Sequence, residues 1–265
     1  MQAARSEPPA GRLRPPHLGL LLAEARGLLE FNASLLLSPL LARAPRGDGH
    51  PVLALPGLLA SDFSTLMLRR YLTRLGYESH AWGFGRNTGG FYKMRAQVRQ
   101  RLAAIHRASG RKVSLVGWSL GGIHARDLAL YMPEMVRSVV TMGSPFSGDI
   151  TATNARRIYE VLSGELIQNA SIQDLIALSG DLPVPTTSIY SRTDGIVNWR
   201  TCLARPSRCA ENIEVHLASH FGLCVNAAVL WAVADRLAQA EGEFKQFDRT
   251  GPFALAYAPP EKKQS

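Results

Sequence analysis

The sequence predicts an α/β fold in which a mostly parallel sheet has helices on both faces. Short apolar segments, such as 51–55 and 136–142, alternate along the chain with longer segments of helical periodicity. This alternation is typical of parallel sheets, because each strand is joined to the next by a helix. The chain has 265 residues and 46% hydrophobic content, which is enough for one sizeable core in a single domain.

The N-terminal segment is interpreted as a flexible tail over residues 1–17, followed by a helix over 18–42. Leucines of that helix recur at helical spacing. Glu24 and Glu30 interrupt the apolar stretch, which argues against a signal peptide and against a membrane span. Two interpretations remain: the leucines pack on the domain, or they contact a membrane surface or a partner.

The next elements alternate in the expected way. A short buried strand is predicted at 51–55 and a helix at 62–75. Gly76 is typical of a helix end, and a second strand follows at 77–83. A long helix at 91–109 comes after a glycine-rich loop.

Residues 117–121 match the pattern G-x-S-x-G, with Ser119 at its centre. A predicted strand at 112–117 precedes the pattern, and a helical segment at 123–131 follows it. Strand, sharp turn and helix are the context of a nucleophile elbow, which holds a serine hydroxyl exposed above a helix N-terminus. The pattern alone also fits a glycine-rich turn without a catalytic role.

The rest of the chain completes the sheet. After the strand at 136–142, residues 147–182 break the alternation with two short helical patterns, which predicts a small helical cap above the strand ends. Its apolar residues recur at helical spacing and are expected to bury one face against the mouth of the site. Strands are expected at 186–191 and 213–217, and a closing helix at 226–240. The domain is therefore placed at 18–247, with a C-terminal tail over 248–265.

A serine hydroxyl is a poor nucleophile unless a base lies beside it, and the base needs an acid to orient it. His220 is the candidate base, because among the seven histidines it lies in a loop between the last strand and the closing helix. Asp194 is the candidate acid, since it directly follows the strand at 186–191. The alternative for Asp194 is an ordinary Asp-Gly turn.

An oxyanion hole requires two backbone amides. The first is expected from Leu120, directly after the nucleophile, and the second from Leu58 in the loop after the first strand. Gly57 would allow the chain to turn so that the amide of Leu58 points inward. A Pro-Gly pair that simply ends a strand is the alternative.

Together, the segments around residues 55–58, 117–122, 191–195 and 219–220 resemble the α/β-hydrolase superfamily, in its bacterial lipase/esterase-like branch. The resemblance extends over roughly residues 50–240. It implies the α/β-hydrolase fold and the hydrolysis of small-molecule or lipid esters by a serine nucleophile, through an acyl-enzyme and without a cofactor. An acyltransferase with the same triad is the alternative, and a non-catalytic binding protein of the same fold is a more distant one.

Charge and composition indicate which binding partners to expect. The formal net charge is +9, but the arginines are scattered and no nucleic-acid-binding motif is present, so no nucleic-acid partner is expected. The three cysteines and the histidines have no metal-ligand spacing, so no metal site is expected. Whether Cys202 and Cys209 form a disulfide stays open. A cytoplasmic location is expected, with contact to a membrane through the N-terminal helix as an additional possibility.

Overall fold

A computed structural model describes residues 13–149, 151–164, 172–205 and 207–260 of the chain. The strands are β1 Pro51–Leu55, β2 Glu78–Ala81, β3 Val113–Trp118, β4 Val136–Met142, β5 Thr186–Tyr190 and β6 Ala210–Glu214. The α-helices are α1 Leu18–Leu22, α2 Gly27–Leu36, α3 Ser38–Leu41, α4 Leu66–Arg74, α5 Phe91–Ser109, α6 Leu120–Tyr131, α7 Arg156–Ser163, α8 Ile172–Ser179 and α9 Ala227–Leu237.

The six strands form one sheet in the order β2-β1-β3-β4-β5-β6, and every neighbouring pair is parallel. The loops that follow β1, β3, β5 and β6 therefore leave from the same edge of the sheet. Ligands bind at this edge in open α/β sheets.

Helices cover both faces of the sheet. Along β1, Val52 and Ala54 pack into a core with α4 and α9. Leu53 and Leu55 point the other way, into a core with α5 and α6. Because both faces of β1 are buried, the strand is apolar throughout, as expected for a central parallel strand. The predicted α/β architecture is confirmed.

The last strand lies earlier than the predicted range 213–217. β6 begins at Ala210 and pairs Glu211 with Thr187 of β5. The polar residues at its start are accommodated because Arg236 of α9 forms a buried ion pair with Glu211, with 2.5 Å between Nη1 and Oε1. An apolar pattern cannot reveal a strand that is held by such a pair.

The N-terminal helical segment has its polar side turned toward the domain. Glu24 is only 5% exposed and Ser34 is fully buried, whereas Leu22 is 74% and Leu36 is 82% exposed. The interpretation that the leucines pack on the domain is therefore wrong for most of them, whereas Leu41, at the end of the segment, is buried in the core. Before Leu41, hydrogen bonds from the polar side hold the segment in place.

The part of the predicted N-terminal tail that is described also contacts the domain. The carbonyl of Arg14 accepts a hydrogen bond from Asn198 Nδ2 at 2.8 Å, and that of Pro16 accepts one from Asn154 Nδ2 at 3.2 Å. Residues 1–12 lie outside the described residues.

The predicted C-terminal tail at 248–265 is wrong for the residues that are described. Tyr257 is buried, its hydroxyl donates to the carbonyl of Ala228 at 2.7 Å, and its backbone bridges to Val215. Tyr257 thus attaches this segment to α9 through its side chain and to the residues after β6 through its backbone. Residues 261–265 lie outside the described residues.

The insertion after β4 contains α7 and α8 at the predicted places, while its residues 150 and 165–171 lie outside the described residues. The expectation that its apolar residues bury one face is wrong for several described side chains. Those exposed to solvent are Ile158, Val161, Leu162 and Ile176.

Polar contacts attach the insertion to the domain. The guanidinium of Arg126, on α6, donates to the carbonyls of Leu178 and Gly180. Lys93 Nζ, on α5, donates to the carbonyl of Ser163 at 2.7 Å. In the described part of the chain, no helix is both long enough and apolar enough to span a bilayer.

Candidate active site

Ser119 lies on a strained turn between β3 and α6. Its backbone has φ 54° and ψ −123°, a conformation that a residue with a side chain adopts only at a cost of order 1–3 kcal/mol. Its amide donates to the carbonyl of Met142 on β4 at 2.8 Å, which fixes the turn to the sheet. The side chain is half-buried at the carboxyl edge of the strands.

The glycines of the turn are required by close packing. A Cβ on Gly117 would lie 2.4 Å from Gly122 Cα, and one on Gly121 would lie 2.1 Å from the Leu55 carbonyl oxygen. Both separations are far below van der Waals contact. The G-x-S-x-G pattern therefore forms the predicted elbow rather than an ordinary turn.

Asp194 and His220 form a buried pair after β5 and β6. His220 Nδ1 lies 2.6 Å from Asp194 Oδ2, and both side chains are almost fully buried. The other carboxylate oxygen, Oδ1, accepts the amides of Ile196 at 2.8 Å and Val197 at 2.7 Å. The Asp-Gly turn and the orienting role are therefore combined in one residue, with one oxygen for each.

The charges around His220 make its ring easier to protonate than a free imidazole in water. Burial lowers the pKa of His220, but the charge of Asp194, its hydrogen bond and the charge of Glu24 outweigh burial and raise the pKa above 6.5. Such a ring can hold a proton taken from a nearby hydroxyl.

The residue before Ser119 contacts the loop of His220. Trp118 Nε1 donates to the carbonyl of His220 at 3.0 Å and so holds the backbone of this loop. Among the hydrogen bonds of the described residues, none joins Ser119 Oγ to the His220 ring. The predicted contact is thus present on the Asp194 side only; catalytic hydrogen bonds are often long in free enzymes and shorten in the complex with substrate.

The loop after β1 lies directly beside the nucleophile. A Cβ on Gly57 would lie 3.0 Å from Ser119 Cβ. In the described structure, no hydrogen bond uses the amide of Leu58, and Leu120 is the first residue of α6, where an amide has no partner within the helix. Both amides predicted for the oxyanion hole are therefore available next to Ser119.

Asn87 holds this loop in place, a role that the sequence did not indicate. Its side-chain Nδ2 donates to the carbonyl of Pro56 at 2.9 Å. Its backbone accepts from Leu59 at 2.6 Å and donates to Ala60 at 2.7 Å. Because Leu59 has a positive φ of 62°, these bonds stabilise a strained turn, and only the glycine-rich loop around Asn87 could have drawn attention to it.

Solved structures resemble this arrangement over most of the chain. An α/β-superfamily hydrolase of Oenococcus oeni matches with TM-score 0.51 at 17% identity, over 70% of this chain and 90% of the other. The chain has the α/β-hydrolase fold. A lipase of Bacillus licheniformis in its mature form shares this fold, with TM-score 0.54 and 17% identity over 75% of this chain and 95% of the other.

Sequence relatives give a shorter match. A triacylglycerol lipase of Pseudarthrobacter phenanthrenivorans is 32% identical over 111 residues, which cover 37% of this chain. The match spans 34% of that relative, or about a third of its length. No family model matches the chain.

Glu24 is a second residue of this candidate site that sequence reasoning missed. Its Oε1 accepts the amides of Gly195 at 2.7 Å and His220 at 3.0 Å, and its Oε2 accepts the amide of Phe221 at 3.1 Å. One buried carboxylate thus joins the loop of Asp194 to the loop of His220. The available signal is an acidic residue within an apolar helical segment, which by itself argues only against a signal peptide and a membrane span.

Neighbouring residues of the same N-terminal segment extend this attachment. Glu30 accepts the amide of Ser219 at 2.9 Å and the side chain of Asn226 at 2.8 Å. Arg26 donates to the carbonyls of Thr193 at 2.6 Å and Ala218 at 3.1 Å. The N-terminal segment is therefore part of the scaffold of the site.

A second Asp–His–Ser chain lies at the opposite edge of the sheet. His50 Nδ1 is 2.5 Å from Asp48 Oδ1, and His50 Nε2 is 2.9 Å from Ser114 Oγ. His50 and Ser114 are fully buried, so no substrate can reach the hydroxyl. Burial lowers the pKa of His50 despite its bond to Asp48. These three residues therefore form a buried structural hydrogen-bond series, and hydrogen bonding alone does not identify a serine that substrate can reach.

The cysteines and potential metal ligands add no further chemistry to the site. Cys202, Cys209 and Cys224 are all free thiols, which answers the question of a disulfide between the first two. Within the described residues, no group of three His, Cys, Asp or Glu side chains is placed to hold a metal ion.

Proposed function

We propose that this protein is a serine hydrolase that cleaves carboxylic esters through an acyl-enzyme. The observation that supports this most strongly is the strained Ser119 elbow beside the buried Asp194–His220 pair. A protein that only binds a ligand requires neither the strain nor the buried charge. The α/β-hydrolase fold and the triacylglycerol lipase among the relatives support the same class.

In the first half of the proposed reaction, Ser119 Oγ attacks the acyl carbon while His220 Nε2 accepts the hydroxyl proton. Asp194 keeps the other ring nitrogen protonated and stabilises the imidazolium. The carbonyl oxygen becomes an oxyanion and is bound by the amides of Leu58 and Leu120. When the tetrahedral intermediate collapses, His220 donates the proton to the leaving alcohol.

In the second half, water attacks the acyl group on Ser119 and His220 accepts a proton from it. The oxyanion forms again at the same two amides. Collapse releases the carboxylic acid, and the proton on His220 returns to Ser119. No group other than these side chains and backbone amides is needed for the cycle.

Apolar side chains around the site favour esters with an apolar acyl group. Phe221 and Leu217, on the histidine loop, are more than half exposed, and the ring of Phe221 lies 6.2 Å from the rings of Trp118 and His220. An exposed aromatic side chain beside these residues is suited to contact a lipid chain.

We propose further that the leucines of α1 and α2 contact a lipid surface. The polar side of this segment is bonded to the catalytic loops, so its apolar side faces outward next to Phe221; a Cβ on Gly27 would lie 3.3 Å from Phe221 Cβ. Binding by this side would bring the site to the surface where lipid esters are concentrated.

Two serine variants test the proposed function. We expect Ser119→Ala to fold normally and to lose ester turnover by about a million-fold in kcat, as in other serine hydrolases. Ser114→Ala is the matched control: it also removes a hydroxyl bonded into a histidine chain, but it should lose stability and keep activity. The assay uses 4-nitrophenyl esters of short and long acyl chains with a fluorophosphonate probe, and equal labelling of parent and Ser119→Ala would exclude Ser119 as nucleophile.

The same assay separates hydrolysis from acyl transfer. An added alcohol should leave the carboxylic acid as the main product if water has access to the acyl-enzyme. If transfer to the alcohol predominates at low alcohol concentration, the acyltransferase alternative replaces the hydrolase.

A further inference from the structure

A groove on the side of α4 lies apart from the catalytic residues. Its volume is about 620 Å³, and its walls come from α2, α3, α4 and the start of α9. Neither Ser119, Asp194 nor His220 lines it. The volume lies within the range of small-molecule sites in proteins.

The groove is mainly apolar but has cationic groups along one wall. Leu35, Leu41, Met67 and Leu230 are among its apolar residues, and Arg46, Arg70 and Arg74 also line it. Met67, Arg70 and Arg74 lie on one face of α4, because they are three and four residues apart. From Leu66 to Arg74 the helix rises about 12 Å, so the groove is long enough for an extended alkyl chain.

The arginines have no counter-charge within the described structure. None of the three forms an ion pair or a hydrogen bond there, and no acidic residue lines the groove. Guanidinium groups bind carboxylates through paired hydrogen bonds. A long apolar wall next to unpaired guanidinium groups is therefore complementary to a molecule with an alkyl chain and an anionic head.

We propose that this groove binds a single-chain amphiphile with a carboxylate head. The alkyl chain lies along Met67 and Leu230, and the carboxylate is bound by the arginines of α4 and by Arg46. The binding does not depend on ester hydrolysis, although the proposed hydrolysis of lipid esters would release such molecules.

Calorimetric titration with dodecanoate below its micellar concentration tests the proposal, at pH 8 so that the head is ionised. We expect one molecule to bind per chain, and dodecan-1-ol, dodecyltrimethylammonium and hexanoate each to bind at least about tenfold more weakly, since they lack the charge, reverse it or shorten the chain. Equal affinity for the alcohol, or no binding of dodecanoate, would overturn the proposal.

Variants locate the binding site. Arg70→Gln combined with Arg74→Gln should weaken dodecanoate binding about tenfold or more, and Met67→Trp should abolish it by filling the groove. Arg107→Gln, on the exposed side of α5, is the matched control and should change nothing. Retained affinity in both groove variants would place the ligand elsewhere and refute the assignment.

Ester hydrolysis separates this proposal from the proposed function. All groove variants should hydrolyse 4-nitrophenyl acetate like the parent, so failure of the groove proposal and failure of the proposed function are distinguishable.

Discussion

Replacing Glu24 by Gln tests whether the N-terminal segment shapes the active site. The carboxylate accepts three backbone amides from the loops of Asp194 and His220. A glutamine of the same shape can place its oxygen on the amides of Gly195 and His220. Its NH₂ group would then face the amide of Phe221, donor against donor.

These contacts set the expected loss of stability and of activity in Glu24→Gln. Two hydrogen bonds lose their charge and a third is replaced by an unpaired buried amide, which should lower the free energy of unfolding by about 2–4 kcal/mol. The amides of Gly195 and His220 lie next to or within the catalytic pair. A shift of about 1 Å in such loops lowers kcat by about 100-fold. We therefore expect the kcat of Glu24→Gln to be about 10- to 100-fold lower than that of the parent.

The pH profile distinguishes positioning from general destabilisation. Glu24 helps to raise the pKa of His220, so removing its charge should lower that pKa. Because His220 must be neutral to act as a base, activity falls as the pH drops through its pKa. The acid limb of kcat/KM should therefore move to lower pH in Glu24→Gln.

Glu30→Gln is the control for this experiment. It weakens bonds to Ser219 and Asn226 and should lower stability, but its carboxylate does not bind the amide of His220. The measurements are urea unfolding and ester hydrolysis from pH 5 to 9. A Glu24→Gln protein with parental kcat and an unmoved acid limb would refute the positioning role.

Two further predictions concern the oxyanion loop and the N-terminal leucines. Asn87→Ala should lower kcat about tenfold or more with little change in KM, because the loop that supplies the Leu58 amide loses its side-chain anchor; a change confined to KM, in steady-state kinetics with 4-nitrophenyl butyrate, would contradict this. The double variant Leu28→Ser/Leu29→Ser should change the free energy of unfolding by no more than about 0.5 kcal/mol, since both side chains are more than two-thirds exposed. It should bind lipid vesicles more weakly than the parent in a sedimentation assay. Unchanged sedimentation would show that these leucines do not contact lipid.

The sequence by itself determined the layers of the fold and the elbow. Strands β1 and β4 and helix α5 occur at the predicted bounds, because a strand buried on both faces and a long amphipathic helix each have a strong local pattern. The turn at Ser119 was predictable for a related reason: only glycine fits at Gly117 and Gly121, where neighbouring backbones approach closely.

The Asp194–His220 pair was predictable from chain order and loop position, since parallel strands place their following loops at one edge of the sheet. The same reasoning could not have predicted the second Asp–His–Ser hydrogen-bond series, formed by Asp48, His50 and Ser114. Its geometry resembles that of a triad, and only its burial shows that it is structural.

Only the tertiary structure decided the orientation of the N-terminal segment. Its leucines have the spacing of a packed helix, but Glu24, Glu30 and Ser34 face inward because backbone amides and a carbonyl of distant loops provide their partners. A pattern of apolar residues shows that a helix has two sides, and it cannot show which side meets the domain when buried hydrogen bonds to charged groups outweigh apolar contacts. Those bonds join residues nearly 200 positions apart in sequence, so they exist only once the chain has folded.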